Sequence, residues 1–173
     1  MNGAPFLVTE RLELWKPAAH DLAPMFAIVS QPQTSRYLGP APTMPDHFLR
    51  FARNAGSWLL YGYGVLMVRQ RGGDGALLGN CGLFHSWRGL GADFDDQPEA
   101  GWILSEQAAG KGFAGEAMRA IYTWFDAEHG PRRTVCMIDP GNTASLRLAD
   151  KLGFVALRDA ELAGEPVRLF VRG

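Results

Sequence analysis

The sequence predicts a single α/β domain in which helices flank one mixed β-sheet. Three observations support this fold class. Strand-like and helix-like segments alternate along all 173 residues, without a linker or an internal repeat. Two of the strand-like segments are joined by a glycine-rich hairpin turn over residues 71–75. A second glycine-rich loop, over residues 107–115, connects a strand-like segment to a helix-like one.

The first half of the chain contains three predicted strands and two predicted helices. Strands are assigned where apolar residues alternate, as Leu12 and Leu14 do, and helices where they recur every three or four residues. The segments are a strand over 6–15, a helix over 18–30, a proline-rich loop over 37–45, a helix over 47–60, and strands over 63–69 and 77–85.

The second half of the chain alternates strands with helices. The segments are a loop over 86–97, a strand over 99–104, a helix over 113–129, a strand over 133–139, a helix over 142–152, and strands over 154–158 and 167–171. The helix over 113–129 has the clearest pattern, because its apolar residues share one face and Gly130-Pro131 ends it.

Composition excludes several classes of protein. A net charge of −1 argues against a general nucleic-acid binder, which would carry a basic excess. No apolar run approaches the roughly 20 residues of a membrane-spanning helix, and no signal peptide is visible at the start. Cys81 and Cys136 lie in apolar segments, which favours a reducing, cytoplasmic location over a disulfide framework. No cluster of cysteine and histidine residues indicates a metal site.

The glycine loop over 107–115 predicts a phosphate-binding site. Glycines let backbone N–H groups approach a phosphate closely, and the positive end of the helix dipole favours the anion. The residues from Gly110 to Gly115 satisfy G-x-G-x-x-G, with Asp139 placed as a ribose-binding acid, so an NAD-dependent oxidoreductase is one interpretation. Residues 105–109 separate this motif from its strand, however, and too few helix–strand steps follow it for a doubly wound sheet.

The same loop also reads as Gln-x-x-Gly-x-Gly, and here the rest of the chain agrees. Gln107, Gly110 and Gly112 resemble the acetyl-CoA loop of the Gcn5-related N-acetyltransferases. Downstream, Asn142 and Ser145 belong to a block similar to "P-x-N-x-x-S … K-L-G-F" of the branch that contains the ribosomal-protein N-terminal acetyltransferases. Near the start, residues 9–14 match that branch's "T-E-R-L-x-L" strand. Three motifs in the right order cover nearly the whole chain.

This resemblance implies a fold, a cofactor and a set of cofactor-binding residues. Residues 1–173 would form one N-acetyltransferase domain, whose mostly antiparallel sheet has splayed central strands. The cofactor would be acetyl-CoA, and a backbone N–H near Ile103 or Leu104 would face the thioester oxygen. The residues expected at the cofactor are Trp102, Ile103, Leu104, Gln107, Gly110, Lys111, Gly112, Phe113, Ala114, Asn142 and Ser145.

Two residues are candidates for the general base that deprotonates the acceptor amine. The branch has a glutamate in "A-E-I-G-Y", and Glu99 fills the corresponding position here. A partly desolvated carboxylate can have its pKa raised towards neutrality, which suits proton removal through a water molecule. His85, at the end of a neighbouring strand, is the alternative base and titrates naturally near neutral pH.

The residue that would protonate the departing thiolate differs from the one that is usual in the superfamily. Many of its acetyltransferases have a tyrosine seven positions after the asparagine, where this chain has Ala149. Ser145 is the remaining hydroxyl, although Asn142 and Ser145 also suit the start of a helix. The missing tyrosine leaves a non-catalytic acyl-CoA-binding protein as a further interpretation.

The resemblance also implies where the acceptor binds. In the family, the two early helices and the loop between them form one wall of the acceptor site, which would bring Tyr37, Phe48 and Trp58 near the substrate. The expected acceptor is a primary amine, either a protein N-terminus or a small molecule, and the expected assembly is a monomer or a homodimer.

Overall fold

The computed structural model describes residues 3–39 and 41–173 and contains one eight-stranded sheet. The strands are β1 (Leu7–Val8), β2 (Leu12–Trp15), β3 (Val65–Gln70), β4 (Leu77–Ser86), β5 (Gln97–Leu104), β6 (Thr134–Ile138), β7 (Val155–Leu162) and β8 (Glu165–Arg172). Their order across the sheet is β1-β2-β3-β4-β5-β6-β8-β7. All neighbours are antiparallel except β5 and β6, which are parallel. The predicted mixed, mostly antiparallel α/β fold is therefore confirmed.

The described residues form five α-helices. They are α1 (Leu22–Val29), which follows a 3-10 turn at Ala19–Asp21, α2 (Pro32–Ser35), α3 (Met44–Tyr61), α4 (Phe113–His129) and α5 (Thr143–Lys151). The Thr43 hydroxyl caps α3 by accepting a hydrogen bond from the Asp46 N–H. α3 ends at Gly62, whose left-handed φ of 77° favours glycine.

The two faces of the sheet carry different helices. Leu66 on β3 and Leu83 on β4 point towards α4 and pack with Ile121 and Phe125. The alternate residues Met67 and Phe84 point to the opposite face, towards α3. The helix pair α1 and α3 therefore lies on one side of the sheet, and α4 and α5 lie on the other.

The N-terminal segment differs from its prediction. The single strand expected over 6–15 is a tight hairpin of β1 and β2, with Leu7 opposite Leu14. The Thr9 N–H donates to the carbonyl of Leu12, and the Leu12 N–H donates to the Thr9 hydroxyl. These local hydrogen bonds close a turn that an apolar pattern does not reveal.

The dinucleotide-binding interpretation is wrong. The glycine loop follows the fifth strand of a sheet in which only β5 and β6 are parallel neighbours over the described residues. A doubly wound fold requires a run of parallel strands that starts with the loop. None of the helices in the described part of the chain combines the length and the apolar character that a membrane-spanning segment requires.

Candidate functional site

The two parallel strands in the middle of the sheet separate shortly after they meet. β5 and β6, both fully described, pair at a single position, Glu99 with Val135. Beyond Glu99, β5 keeps its ladder with β4 but has no strand on its other side. A cavity of about 560 Å³ lies at this divergence and extends under α1 and α3. The divergence leaves backbone groups of residues 100–104 free to bind a ligand.

The glycine loop lies between the end of β5 and the start of α4. Gly110 and Gly112 adopt left-handed φ values of 75° and 79°. Gly112 is also the N-cap of α4, and no side chain caps the helix there. The first N–H groups of a 17-residue helix are therefore available to an anion.

The other predicted loop residues fall into two groups. Gln107 and Lys111 are exposed, as expected of side chains beside a ligand. The Phe113 side chain is instead buried in the core, with the Arg11 guanidinium 4.8 Å from its ring centroid. Phe113 can contribute its backbone N–H to a ligand, but its side chain is structural.

A cluster around Glu116 fixes the start of α4 to the N-terminal hairpin. Glu116 accepts hydrogen bonds from the Thr9 hydroxyl at 2.6 Å, the Arg11 backbone N–H at 2.9 Å and Arg11 Nε at 2.7 Å. Burial alone would raise the pKa of Glu116. The three hydrogen bonds and the positive charge of Arg11 together lower it by more, so the net shift of the pKa is downward. Arg11 also donates to the Lys111 carbonyl. We call Thr9, Arg11 and Glu116 the hairpin clamp.

The hairpin clamp explains why the first motif belongs with the glycine loop. Sequence reasoning noted "T-E-R-L-x-L" as a strand signature but gave its polar residues no partner. A partner for these polar residues could have been sought in Glu116, because it lies in the first turn of α4, where a carboxylate is favoured.

Ser145, Asn142 and Trp102 meet on one side of the strand divergence, and all three line the cavity. The Asn142 side-chain oxygen caps α5 by accepting from the Ser145 N–H at 3.1 Å. The Trp102 indole Nε1 donates to Ser145 Oγ at 3.0 Å. Since an indole N–H is only a donor, the Ser145 hydroxyl proton remains for another partner. Sequence reasoning proposed all three residues separately and did not foresee this contact.

Glu99 lines the same cavity and is almost completely buried, with 3% of its surface exposed. Its Oε2 accepts from the Ser86 hydroxyl and from Arg88 Nε at 2.9 Å, and its Oε1 accepts from Arg88 Nη2 at 2.7 Å. The carboxylate is thus held in a two-point pair with a guanidinium. Oε1 keeps one lone pair for a further donor.

The cavity also contains a thiol that the sequence did not assign to the site. Cys136 on β6 lines the cavity and is buried. Burial, followed by the negative charge of Glu99, raises its pKa well above the ordinary value. The Cys136 side chain is therefore a neutral thiol, which is a poor nucleophile.

His85 does not belong to this cavity, which corrects its assignment as the alternative base. Its neighbour Phe84 lies opposite Glu99 and faces the cavity, so His85 points to the other face of the sheet. There Nδ1 lies 3.0 Å from Tyr63 Oη and Nε2 lies 3.0 Å from Asp96 Oδ1. Burial raises the pKa of Tyr63 to about 12, so its hydroxyl stays protonated. The His85 ring is held in a structural network.

Of the three aromatic residues expected at the acceptor wall, one lines the cavity and two do not. Tyr37 lines the cavity, and the Arg36 guanidinium lies 5.2 Å from its ring centroid. Phe48 and Trp58 do not line it, so their assignment is corrected. Trp58 packs with Phe6 and Trp124, and its Nε1 donates to the Val65 carbonyl at 2.8 Å.

α3 directs polar residues, rather than Phe48, towards the cavity. His47, Arg50, Phe51 and Asn54 follow helical spacing and line it, as does Arg53. Phe48 lies outside this face and is 53% exposed. Sequence reasoning missed these residues, because arginines on an amphipathic helix are ordinarily solvated.

Comparison with known proteins places the chain among acetyltransferases. The model of the "Acetyltransferase (GNAT) domain" matches residues 11–155. The chain is 27% identical over 182 residues to the uncharacterized protein YkkB of Bacillus subtilis strain 168, with 99% of this chain and 98% of YkkB covered.

Solved structures agree with this match. A putative GnaT-family acetyltransferase from Bordetella pertussis superposes with a TM-score of 0.86 at 31% identity, over 96% of this chain and 98% of the other. RimL, a ribosomal L7/L12 alpha-N-protein acetyltransferase solved with coenzyme A, superposes with a TM-score of 0.73 over 96% of each chain. At 16% identity, the likeness to RimL concerns the fold alone.

Proposed function

Because the chain belongs to the GNAT acetyltransferase family, we propose that it transfers the acetyl group of acetyl-CoA directly to a primary amine bound in the cavity under α1 and α3. GNAT acetyltransferases use acetyl-CoA, and the RimL structure contains coenzyme A. The amine would belong to a protein N-terminus or to a small molecule.

The observation that carries this proposal is the open side of β5 next to the uncapped start of α4. The N–H groups after Gly112 suit the pyrophosphate of the cofactor. The unpaired side of β5 suits the pantetheine arm, which would run along Ile103 and Leu104 towards the cavity. A backbone N–H of this segment would stabilise the oxyanion as the amine attacks.

Glu99 is the proposed general base. It lines the cavity, and Oε1 has a free lone pair to receive the proton that the amine loses, directly or through a water molecule. The neutral amine nitrogen then attacks the thioester carbon. As the amide forms, the carbon–sulfur bond breaks and the second proton of the nitrogen passes to the departing sulfur, directly or through a water molecule, so that CoA leaves as its thiol. The departing thiolate takes a hydrogen bond from the Ser145 hydroxyl, whose oxygen already accepts from Trp102.

The proposal also covers the oligomeric state and the cellular compartment of the protein. We propose a monomer or a homodimer. Both cysteines are buried free thiols, which supports a reducing compartment such as the cytoplasm.

Two measurements test the proposed function. Calorimetry should detect acetyl-CoA binding, and a thiol-release assay should detect free CoA when peptides or small primary amines are added. Tight acetyl-CoA binding without thiol release on any amine would contradict the proposal and favour a non-catalytic acyl-CoA-binding protein.

A further inference from the structure

Three arginines from two elements meet at one end of the cavity. Arg50 and Arg53 come from α3, and Arg88 comes from the loop after β4. The guanidinium carbons of Arg53 and Arg88 lie 5.8 and 5.9 Å from the ring centroid of Phe84. Phe84 is the β4 residue directly opposite Glu99, so Arg53 and Arg88 lie near the proposed base.

The positive charges at this end exceed the negative charges. Glu99 compensates Arg88 through their two-point pair. Arg50 and Arg53 form no ion pair with any described residue. Asp46 is the nearest acidic residue on α3, but it does not line the cavity and is hydrogen-bonded to the Thr43 hydroxyl at 2.6 Å.

Crowding makes these two cations receptive to an anion. Burial, followed by the positive charge of Arg88, lowers the pKa of both Arg50 and Arg53, and this outweighs the opposing effects of Asp46 on Arg50 and of Glu99 on Arg53. An arginine stays protonated nevertheless, so the cost remains as electrostatic repulsion in the empty cavity. A bound oxyanion would remove that repulsion and supply hydrogen-bond acceptors.

A buried polar atom beside the arginines also lacks a partner. His47 precedes Arg50 by three residues on α3, lines the cavity and is 4% exposed. Its Nε2 has no hydrogen-bond partner among the described residues. Burial lowers the pKa of His47, so the ring is neutral at neutral pH. His47 therefore adds a neutral polar ring to the wall of the cavity that carries Arg50.

We infer that the acceptor is a small amine that also carries an oxyanion, a carboxylate or a phosphonate, which binds to Arg50 and Arg53 while the amine faces Glu99. This inference rests on the proposed function. Residues 36–39 also line the cavity, as do residues 162, 163 and 165–167 at the joined ends of β7 and β8, which favours a small acceptor over a polypeptide.

Matched acceptors test this inference. Each of a panel of free α- and ω-amino acids is assayed beside its primary amide, which has the same amine without the negative charge. Aminoalkylphosphonates distinguish the two oxyanions, and peptides with acidic side chains serve as the polypeptide arm. The expected result is a kcat/KM for the best acid at least about tenfold above that of its amide.

Variants separate recognition from general damage. Arg50→Gln and Arg53→Gln should each raise KM for the acid about tenfold or more and leave the amide and the Kd of acetyl-CoA nearly unchanged. Arg50→Lys should restore part of the loss. Arg71→Gln is the matched control, because Arg71 is exposed and lies outside the cavity.

A binding measurement separates failure of this inference from failure of the proposed function. Calorimetry titrates the N-acetyl form of each acid, and of its amide, into CoA-saturated protein. Tighter binding of the acid that Arg50→Gln abolishes would uphold the oxyanion site even without turnover. Equal use and equal binding of acids and amides, or a preference for acidic peptides, would overturn the inference and leave acetyl transfer intact.

Discussion

The Trp102 indole nitrogen lies 3.0 Å from Ser145 Oγ, and this contact joins β5 to α5 across the strand divergence. Because the indole donates, the serine oxygen is the acceptor and its hydroxyl proton is free. Among the described residues the hydroxyl donates to no acceptor. Trp102 therefore fixes the position of the Ser145 oxygen and leaves its proton available to a ligand.

Ser145→Ala should lower kcat about tenfold, which corresponds to about 1.4 kcal/mol of transition-state stabilisation. The reason is the loss of one hydrogen bond to the departing sulfur. Trp102→Phe should lower kcat by the same factor or less. The double variant should have a kcat no lower than that of Ser145→Ala, because the two substitutions disrupt the same interaction. Steady-state assays at saturating acetyl-CoA measure this. If Ser145→Ala keeps full turnover and only lowers the melting temperature, Ser145 contributes to the start of α5 and not to catalysis.

Gly112→Glu should weaken CoA binding about a hundredfold or more, which corresponds to about 2.8 kcal/mol. A carboxylate at the start of α4 would repel the pyrophosphate, and its Cβ would be strained at a φ of 79°. Gly153→Glu is the control for strain, since Gly153 has a φ of 83° and open space around it. Calorimetry compares the two, and equal CoA affinities would refute the assignment of the loop.

Glu99→Gln should lower turnover by about 10²-fold and leave acetyl-CoA affinity unchanged. The loss should shrink at high pH, where the amine deprotonates unaided. Glu165→Gln is the matched control, because Glu165 is another carboxylate that lines the cavity. pH–rate profiles of both variants decide the matter. A loss that stays constant with pH would indicate a structural role beside Arg88.

Glu116→Gln should reduce the free energy of unfolding at pH 7 by about 1–3 kcal/mol. The folded-state pKa of Glu116 lies below the ordinary pKa of a glutamate, which is about 4.3. The ionised carboxylate therefore contributes its full stabilisation at pH values above about 4.3. That stabilisation is lost as the pH falls through the folded-state pKa, and the difference between wild type and variant should narrow there. Denaturant titrations from pH 7 to pH 3 test this, with exposed Glu128→Gln on the same helix as control. A difference independent of pH would contradict the hairpin clamp.

Cys136→Ala should keep most of the turnover, and the wild-type enzyme, which contains the thiol, should give sequential rather than ping-pong kinetics and no acetylated Cys136. The raised pKa of this thiol leaves it neutral, so no acetyl-cysteine should form. Double-reciprocal plots with both substrates varied provide the measurement. Parallel lines, together with an acetylated Cys136 in the mass spectrum, would show the opposite.

Local signals were enough to predict the elements that carry the cofactor. The helix over 113–129 was predicted with the bounds it has, because Gly112 begins it and Gly130 ends it. The turn inside residues 6–15 was not predictable, because it depends on the Thr9 hydroxyl rather than on an apolar pattern.

Predictions for the acceptor side depended on geometry that the sequence does not contain. Glu99 was the favoured base and His85 the alternative, and strand alternation and register direct them to opposite faces of the sheet. Phe48 was expected at the cavity, whereas Arg50 and Arg53 occupy it, because the rotation of α3 about its axis is set by tertiary packing.

The hairpin clamp makes the cofactor site depend on the N-terminal strands. Thr9 and Arg11 hold Glu116, and Arg11 also holds the Lys111 carbonyl inside the loop. Docking of the hairpin and ordering of the loop are therefore linked equilibria, and each must favour the other by the same free energy. A ligand that orders the loop should therefore slow amide exchange in β1 and β2, so that the first strands would report occupancy of a pocket that they do not line.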